Sequence, residues 1–171
     1  DYTVQSVGMT DMVKAQKNGF YELSMGGFIA EKFVNEITDN LPYANGYALN
    51  AAEVKNAGTN TELRFHTGNV GNTGPAYYGK VEDGKFIVTL YSIDTTTVPD
   101  SVTIGENPLF SACEIVKMAD SGKVRFLFTL KNERNFYGFD LYYKDGWTVV
   151  TCRNPMKIDL TREKPLDGVR I

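Results

Sequence analysis

The side chains able to do covalent chemistry in this chain are few. One histidine, His66, is the whole supply of imidazole. It follows Phe65 at the end of an alternating run and precedes a loop rich in glycine and asparagine. No Gly-x-Ser-x-Gly elbow accompanies it. Nucleophilic catalysis of the Ser-His-acid or Cys-His kind needs a base beside its nucleophile, so His66 reads as a strand-end residue and not as a base. A catalytic zinc centre usually takes two or three histidines among its ligands and keeps a position open. One histidine and two cysteines 39 positions apart do not supply that. No catalytic residue, metal ligand or cofactor is therefore assigned. A carboxylate pair for glycoside hydrolysis stays open, because two carboxylates can meet from anywhere in a sequence. The acidic residues here mostly fall in turns, where solvation and turn geometry account for them.

The aromatic set says more. Tyr77, Tyr78, Phe136, Tyr137, Tyr142, Tyr143 and Trp147 gather in two stretches. Most belong in the core of a β-sandwich, since tyrosine brings apolar area and can set its hydroxyl at the rim. Those turned outward beside Arg64, Arg125 or Arg134 would form a platform for sugar rings or a partner protein. Arg125, Arg134, Tyr143 and Trp147 are the candidate ligand-binding residues.

The elements that must position them are strands. Val124, Phe126, Phe128 and Leu130 alternate with Arg125, Thr129 and Lys131, the period of two that marks a strand with one buried face. Tyr137, Phe139, Leu141 and Tyr143 alternate again. Lys144-Asp145-Gly146 then leads into Trp147–Thr151, and Asp-Gly between alternating runs predicts a type I′ hairpin. A weaker copy lies earlier. Leu63-Arg64-Phe65 matches Val124-Arg125-Phe126 at a spacing of 61, Tyr77-Tyr78-Gly79 matches Phe136-Tyr137-Gly138 at 59, and Asp83-Gly84 matches Asp145-Gly146 at 62. Three anchors in one order suggest two structurally similar halves.

The rest of the chain frames this pair. Residues 1–37 read as a β segment: a weak strand over Tyr2–Val7, buried candidates at Met9, Met12 and Val13, then a hairpin from Gly19 to Ile29 turning at Gly26-Gly27. Ala30–Val34 completes it as one 3₁₀ turn, and this order is similar to the end of small SH3-type barrels. Residues 38–60, rich in Asn, Gly and Pro, read as a linker, with one helical turn over Asn50–Lys55 capped by Asn50. Residues 61–157 hold the repeated halves, and 158–171 form an exit segment whose last strand is cut short. Since Asp1 is a poor natural start, the chain reads as a processed product or a piece of a longer protein.

Composition narrows the class. The chain has 171 residues, 42% of them hydrophobic and 12% aromatic, which is ample for a packed core. Net charge is −3 and no Lys/Arg cluster occurs, so no nucleic-acid partner is expected. No apolar run approaches the roughly 20 residues of a membrane span. Cys113 and Cys152 alternate with core residues and read as small buried side chains; a disulfide between them is the alternative in an exported protein.

Taken together, Arg-Phe-x-Phe-x-Leu, the aromatic-Tyr-Gly step, Tyr143-Lys144-Asp145-Gly146, the apolar strand and Arg153-Asn154-Pro155 resemble the AMIN-type wall-binding module of bacterial N-acetylmuramoyl-L-alanine amidases. The tail from Lys164 to Ile171 is similar to the lead-in to their catalytic domain. The resemblance implies an exported, all-β chain: a β-sandwich of two similar halves preceded by an SH3-like piece. It implies a non-catalytic role in holding a zinc amidase on peptidoglycan or another cell-wall polymer. The family's zinc ligands match no position here. The alternative is a structural or protein-binding β-sandwich of a bacterial surface protein.

Overall fold

The computed structural model describes residues 9–11, 13–23, 25–35, 46–69 and 73–156. The strand expected over Tyr2–Val7 and the exit segment 158–171 lie outside these. In chain order the strands are β1 (Met9–Thr10), β2 (Val13–Lys17), β3 (Phe20–Leu23), β4 (Phe28–Ala30), β5 (Tyr47–Leu49), β6 (Ala51–Ala57), β7 (Asn60–His66) and β8 (Gly74–Pro75). They continue with β9 (Tyr77–Glu82), β10 (Lys85–Leu90), β11 (Ile93–Thr96), β12 (Ser101–Val102), β13 (Phe110–Met118), β14 (Lys123–Leu130), β15 (Phe139–Lys144) and β16 (Trp147–Arg153).

Two sheets face each other. One has the order β15-β16-β7-β6, the other β12-β13-β14-β10-β9. Leu63, Phe65, Val150 and Cys152 of the first meet Phe86, Val88, Phe126 and Phe128 of the second in one core. The rings of Phe65 and Phe126 lie 4.3 Å apart across it. The fold is an all-β sandwich.

Its two halves are interlocked. Each half contributes a long hairpin (β6–β7 or β13–β14) and an Asp-Gly hairpin (β9–β10 or β15–β16). Each Asp-Gly hairpin pairs with the long hairpin of the other half, β10 against β14 and β16 against β7. The ladders correspond: Val88 sits opposite Phe126 as Val150 sits opposite Leu63. Leu63 thus occupies the place of Phe126, two residues on from the match read in the sequence, a shift that keeps every side chain on its face. The Asp-Gly match holds, with φ of 52° and 74° at Asp83-Gly84 and 51° and 88° at Asp145-Gly146, both type I′. The Tyr-Tyr-Gly match does not hold. Gly79 lies inside β9 opposite Val88, whereas Gly138 precedes β15 with φ 97°.

The expected linker, 38–60, is corrected from Tyr47 onward. Tyr47 and Leu49 of β5 are core residues, and β5 runs parallel to β11. The helical turn expected over Asn50–Lys55 is strand β6, paired with β7 over seven residues. Ala and Glu favour helix by propensity, but packing of Ala52 and Val54 against the core overrides it. β10 ends at Leu90 and β11 begins at Ile93, with the break at Ser92, where φ is 56°.

Among the described residues, the N-terminal segment is a three-stranded meander, β2-β3-β4, ending in a 3₁₀ turn over Glu31–Phe33. The turn at Gly26-Gly27 is present, with φ of 97° and 86°. Val13, expected to be buried, is 51% exposed on β2, an edge strand whose residues are all exposed among the described part of the chain. Asp11 ties the meander to the sandwich. One carboxylate oxygen accepts from the Met25 N–H (2.8 Å), the other from the Ser92 hydroxyl (2.7 Å).

Asn107 is the main buried polar fastening. Its carbonyl oxygen accepts from the Leu109 and Phe110 N–H groups at 2.9 Å, and its amide donates to Asn56 (2.8 Å) and Thr61 (3.0 Å). Asn107→Ala leaves two buried amides without that acceptor. Urea unfolding should show a loss on the order of 2–4 kcal/mol.

Both cysteines are free and buried, and burial pushes each thiol up to about 12. Iodoacetamide at pH 8 should leave both unlabelled in the native protein and label both in guanidinium. Unfolded thiols ionise near pH 9 while folded ones stay protonated to about 12. The unfolded chain therefore holds fewer protons in that window, and stability should fall as pH rises through it, by up to about 1.4 kcal/mol per pH unit for each thiol. A Cys113→Ala/Cys152→Ala variant should show a shallower decline.

Candidate binding groove

On the outer face of the four-stranded sheet, strand pairing assembles one aromatic and charged patch. Trp147 is paired with His66 of β7 and Lys144 of β15. One row further on, Val149 is paired with Arg64 and Tyr142, and Arg64 in turn with Glu53 of β6. Residues directly opposite share a face, so these side chains project together.

The geometry is held from several sides. The Arg64 guanidinium lies over the Trp147 ring at 4.9 Å. Its Nε donates to Glu53 Oε1 (3.0 Å) and its Nη1 to Glu62 Oε2 (3.3 Å). His66 meets Trp147 edge-on at 4.9 Å. The Asp-Gly turn is pinned from below, since the Gly146 carbonyl accepts from Thr67 N–H (2.9 Å) and Gly68 N–H (3.0 Å). Beneath the sheet, the Thr67 hydroxyl bonds Asn69 Oδ1 (2.7 Å) and Thr148 Oγ1 (2.9 Å), all buried. Trp147 thus stands between a fixed turn and a fixed neighbour. The result is a half-open groove of about 350 Å³, lined by Arg64, Tyr142, Lys144, Asp145, Trp147 and Val149. Val149 faces outward yet is only 1% exposed, so the side chains around it already cover it and the open surface is that of its neighbours.

Of the four candidates from sequence, the groove contains Trp147. Tyr143 is corrected to a core residue. It is 4% exposed, and its hydroxyl donates to the Pro75 carbonyl at 2.6 Å. Its ring fills the space beside Gly74, where a Cβ would fall 2.1 Å from Cδ1. The alternation that buries Phe139 and Leu141 buries Tyr143 as well; Tyr142 is the outward tyrosine. Arg125 stands on the outer face of the other sheet, paired with Thr89 and Val116. Its Nε is buried with no hydrogen-bond partner among the described residues. The hydrogen bond and charge of Lys80, with a smaller contribution from Arg125, hold the Glu82 carboxyl below the usual range. Arg134 lies in the exposed 3₁₀ turn Glu133–Asn135, its N–H capped by Asn132 Oδ1 at 3.0 Å, and it does not line the groove.

Tyr142, Lys144, Asp145 and Val149 were missed, yet counting back and forward from the Asp-Gly turn would have put the three strand residues beside Trp147. His66 and Glu53 carry no such signal, because their approach depends on pairing between distant strands. Among the described residues, no three His, Cys, Asp or Glu side chains are grouped as metal ligands, and no helix is long and apolar enough to cross a membrane. No protein family, curated protein or solved structure matches the chain.

Trp147 is the chain's one tryptophan, so its emission reports on the groove alone. Arg64→Ala removes the cation above the indole. Emission should move to the red and acrylamide quenching should rise. Stability should change by only about 1 kcal/mol, the scale of a partly exposed cation–π contact with ion pairs of this kind.

Proposed function

We propose that this chain is a non-catalytic binding region for peptidoglycan or another cell-wall polymer, and that it anchors an exported bacterial N-acetylmuramoyl-L-alanine amidase. The observation that carries the reading is Trp147 held by the Arg64 guanidinium at 4.9 Å, one strand over from the exposed Tyr142. A rigid aromatic beside fixed polar groups suits a repeating carbohydrate better than a transient chemical step. Trp147, Val149 and Arg64 come from the two central strands, whose backbones are paired on both sides, so this part of the surface keeps its shape without a ligand. The sequence pattern around Asp145-Gly146 and Arg153-Asn154-Pro155, which resembles the wall-binding module of such amidases, points the same way.

A second reading is favoured by a different observation. Phe28 and Phe33 on the N-terminal meander are 70% and 72% exposed, which suits a protein-binding surface.

Sedimentation with insoluble peptidoglycan separates the two. The native chain should co-sediment without releasing soluble fragments. Trp147→Ala should weaken binding at least tenfold while its melting temperature moves by no more than roughly 4 °C, the equivalent of about 1 kcal/mol in a domain of this size. No co-sedimentation would sink the wall reading and leave the protein-binding one, whereas wall binding unchanged by Trp147→Ala but abolished by Phe28→Ser would move the wall contact to the meander. Hydrolysis by the chain alone would overturn the non-catalytic assignment.

A further inference from the structure

Resting on the reading that this groove is the wall-binding site, we infer that it takes the neutral glycan of the polymer, an N-acetylated pyranose ring, and not the charged stem peptide. Charge argues first. Arg64, the cation over the ring, is already committed to Glu53 and Glu62. Lys144 is offset by its neighbour Asp145, so the five charged groups around Trp147 leave no positive excess for a free carboxylate. An acidic peptide gains nothing there.

Backbone supply argues second. Peptides bind sheets by adding a strand at an open edge, where unpaired N–H and C=O groups give affinity. Trp147, Val149 and Arg64 stand on β16 and β7, the two central strands, whose backbones are paired on both sides. The groove lies on the face and offers side chains only.

Shape argues third. A pyranose presents a C–H face that suits the indole and a perimeter of hydroxyls that needs donors and acceptors. Tyr142, 42% exposed, together with Lys144 and Asp145 at the turn, supplies both. The volume of about 350 Å³ lies at the small end of the range of roughly 300–1,000 Å³ for small-molecule sites, as expected for short sugar segments.

The test titrates the full chain with a neutral N-acetylglucosamine tetramer and, separately, with a free stem peptide, by calorimetry and by Trp147 emission. Peptidoglycan sedimentation is run alongside. The tetramer should shift emission to the blue and bind saturably, with affinity changing less than twofold between 50 and 500 mM salt, because a neutral ligand releases no screened ion pair. Trp147→Ala and the exposed Tyr142→Ala should each weaken it at least tenfold, read by calorimetry. The stem peptide should do nothing. Sedimentation with no tetramer response overturns the ring assignment and leaves the wall reading standing. A stem-peptide response in place of the tetramer overturns it too. Tetramer binding without sedimentation upholds the ring and sinks the wall reading, and loss of both sinks the two together.

Discussion

The pairing of β7 with β16 is the constraint on which this molecule depends. The two strands belong to different halves of the chain, and neither half can complete a sheet by itself. Their ladder builds the core, since it places Leu63 and Phe65 beside Val150 and Cys152 against the facing sheet. The same ladder builds the groove. Trp147, Val149, Tyr142 and Lys144 come from the second half, while Arg64, His66, Glu62 and Glu53 come from the first. Core and groove therefore share one set of backbone hydrogen bonds.

The two halves are alike in ladder and unlike in outward chemistry. At the places that Trp147, Val149, Tyr142 and Arg64 occupy on one sheet, the other carries Lys85, Ile87, Lys80 and Leu127. Inward positions are mostly apolar in both because the core demands it, with Thr61 and Thr148 as buried polar exceptions on the first sheet. Outward positions are free of that demand, and at these places the first sheet carries aromatics and a guanidinium where the second carries lysines and aliphatic residues. The repeat explains the architecture; the departure from it marks the groove.

Much of the sandwich was legible in the sequence because period-two alternation and Asp-Gly turns are local signals. Val124 to Leu130 alternates inward and outward as read, and both Asp-Gly turns adopt the backbone angles their residues favour. The helical turn over Asn50–Lys55 was misread because Ala-Ala-Glu-Val-Lys has helix propensity, while what fixes it as a strand is seven pairings with β7. Trp147 was legible as an outward aromatic beside the Asp-Gly turn, and it lines the groove. Tyr143 was mistaken for Tyr142, its neighbour on the opposite face, and Arg125 was chosen because nothing local tells which arginine pairs with which aromatic. That choice is made by the β7–β16 register, which joins residues far apart in the chain.

The exchanged hairpins also set an order on events during synthesis. β6 and β7 leave the ribosome as a finished hairpin long before β16 exists, so one edge of β7 must wait with its N–H and C=O groups open. Such an edge is a template for pairing with another chain. Outward along the waiting strand stand Glu62, Arg64 and His66, opposite Lys55, Glu53 and Ala51. Charges of both signs line the open strand and disfavour a close-packed association with a neighbouring nascent chain. The side chains that frame the groove in the finished protein thus act first as guards of an unfinished one.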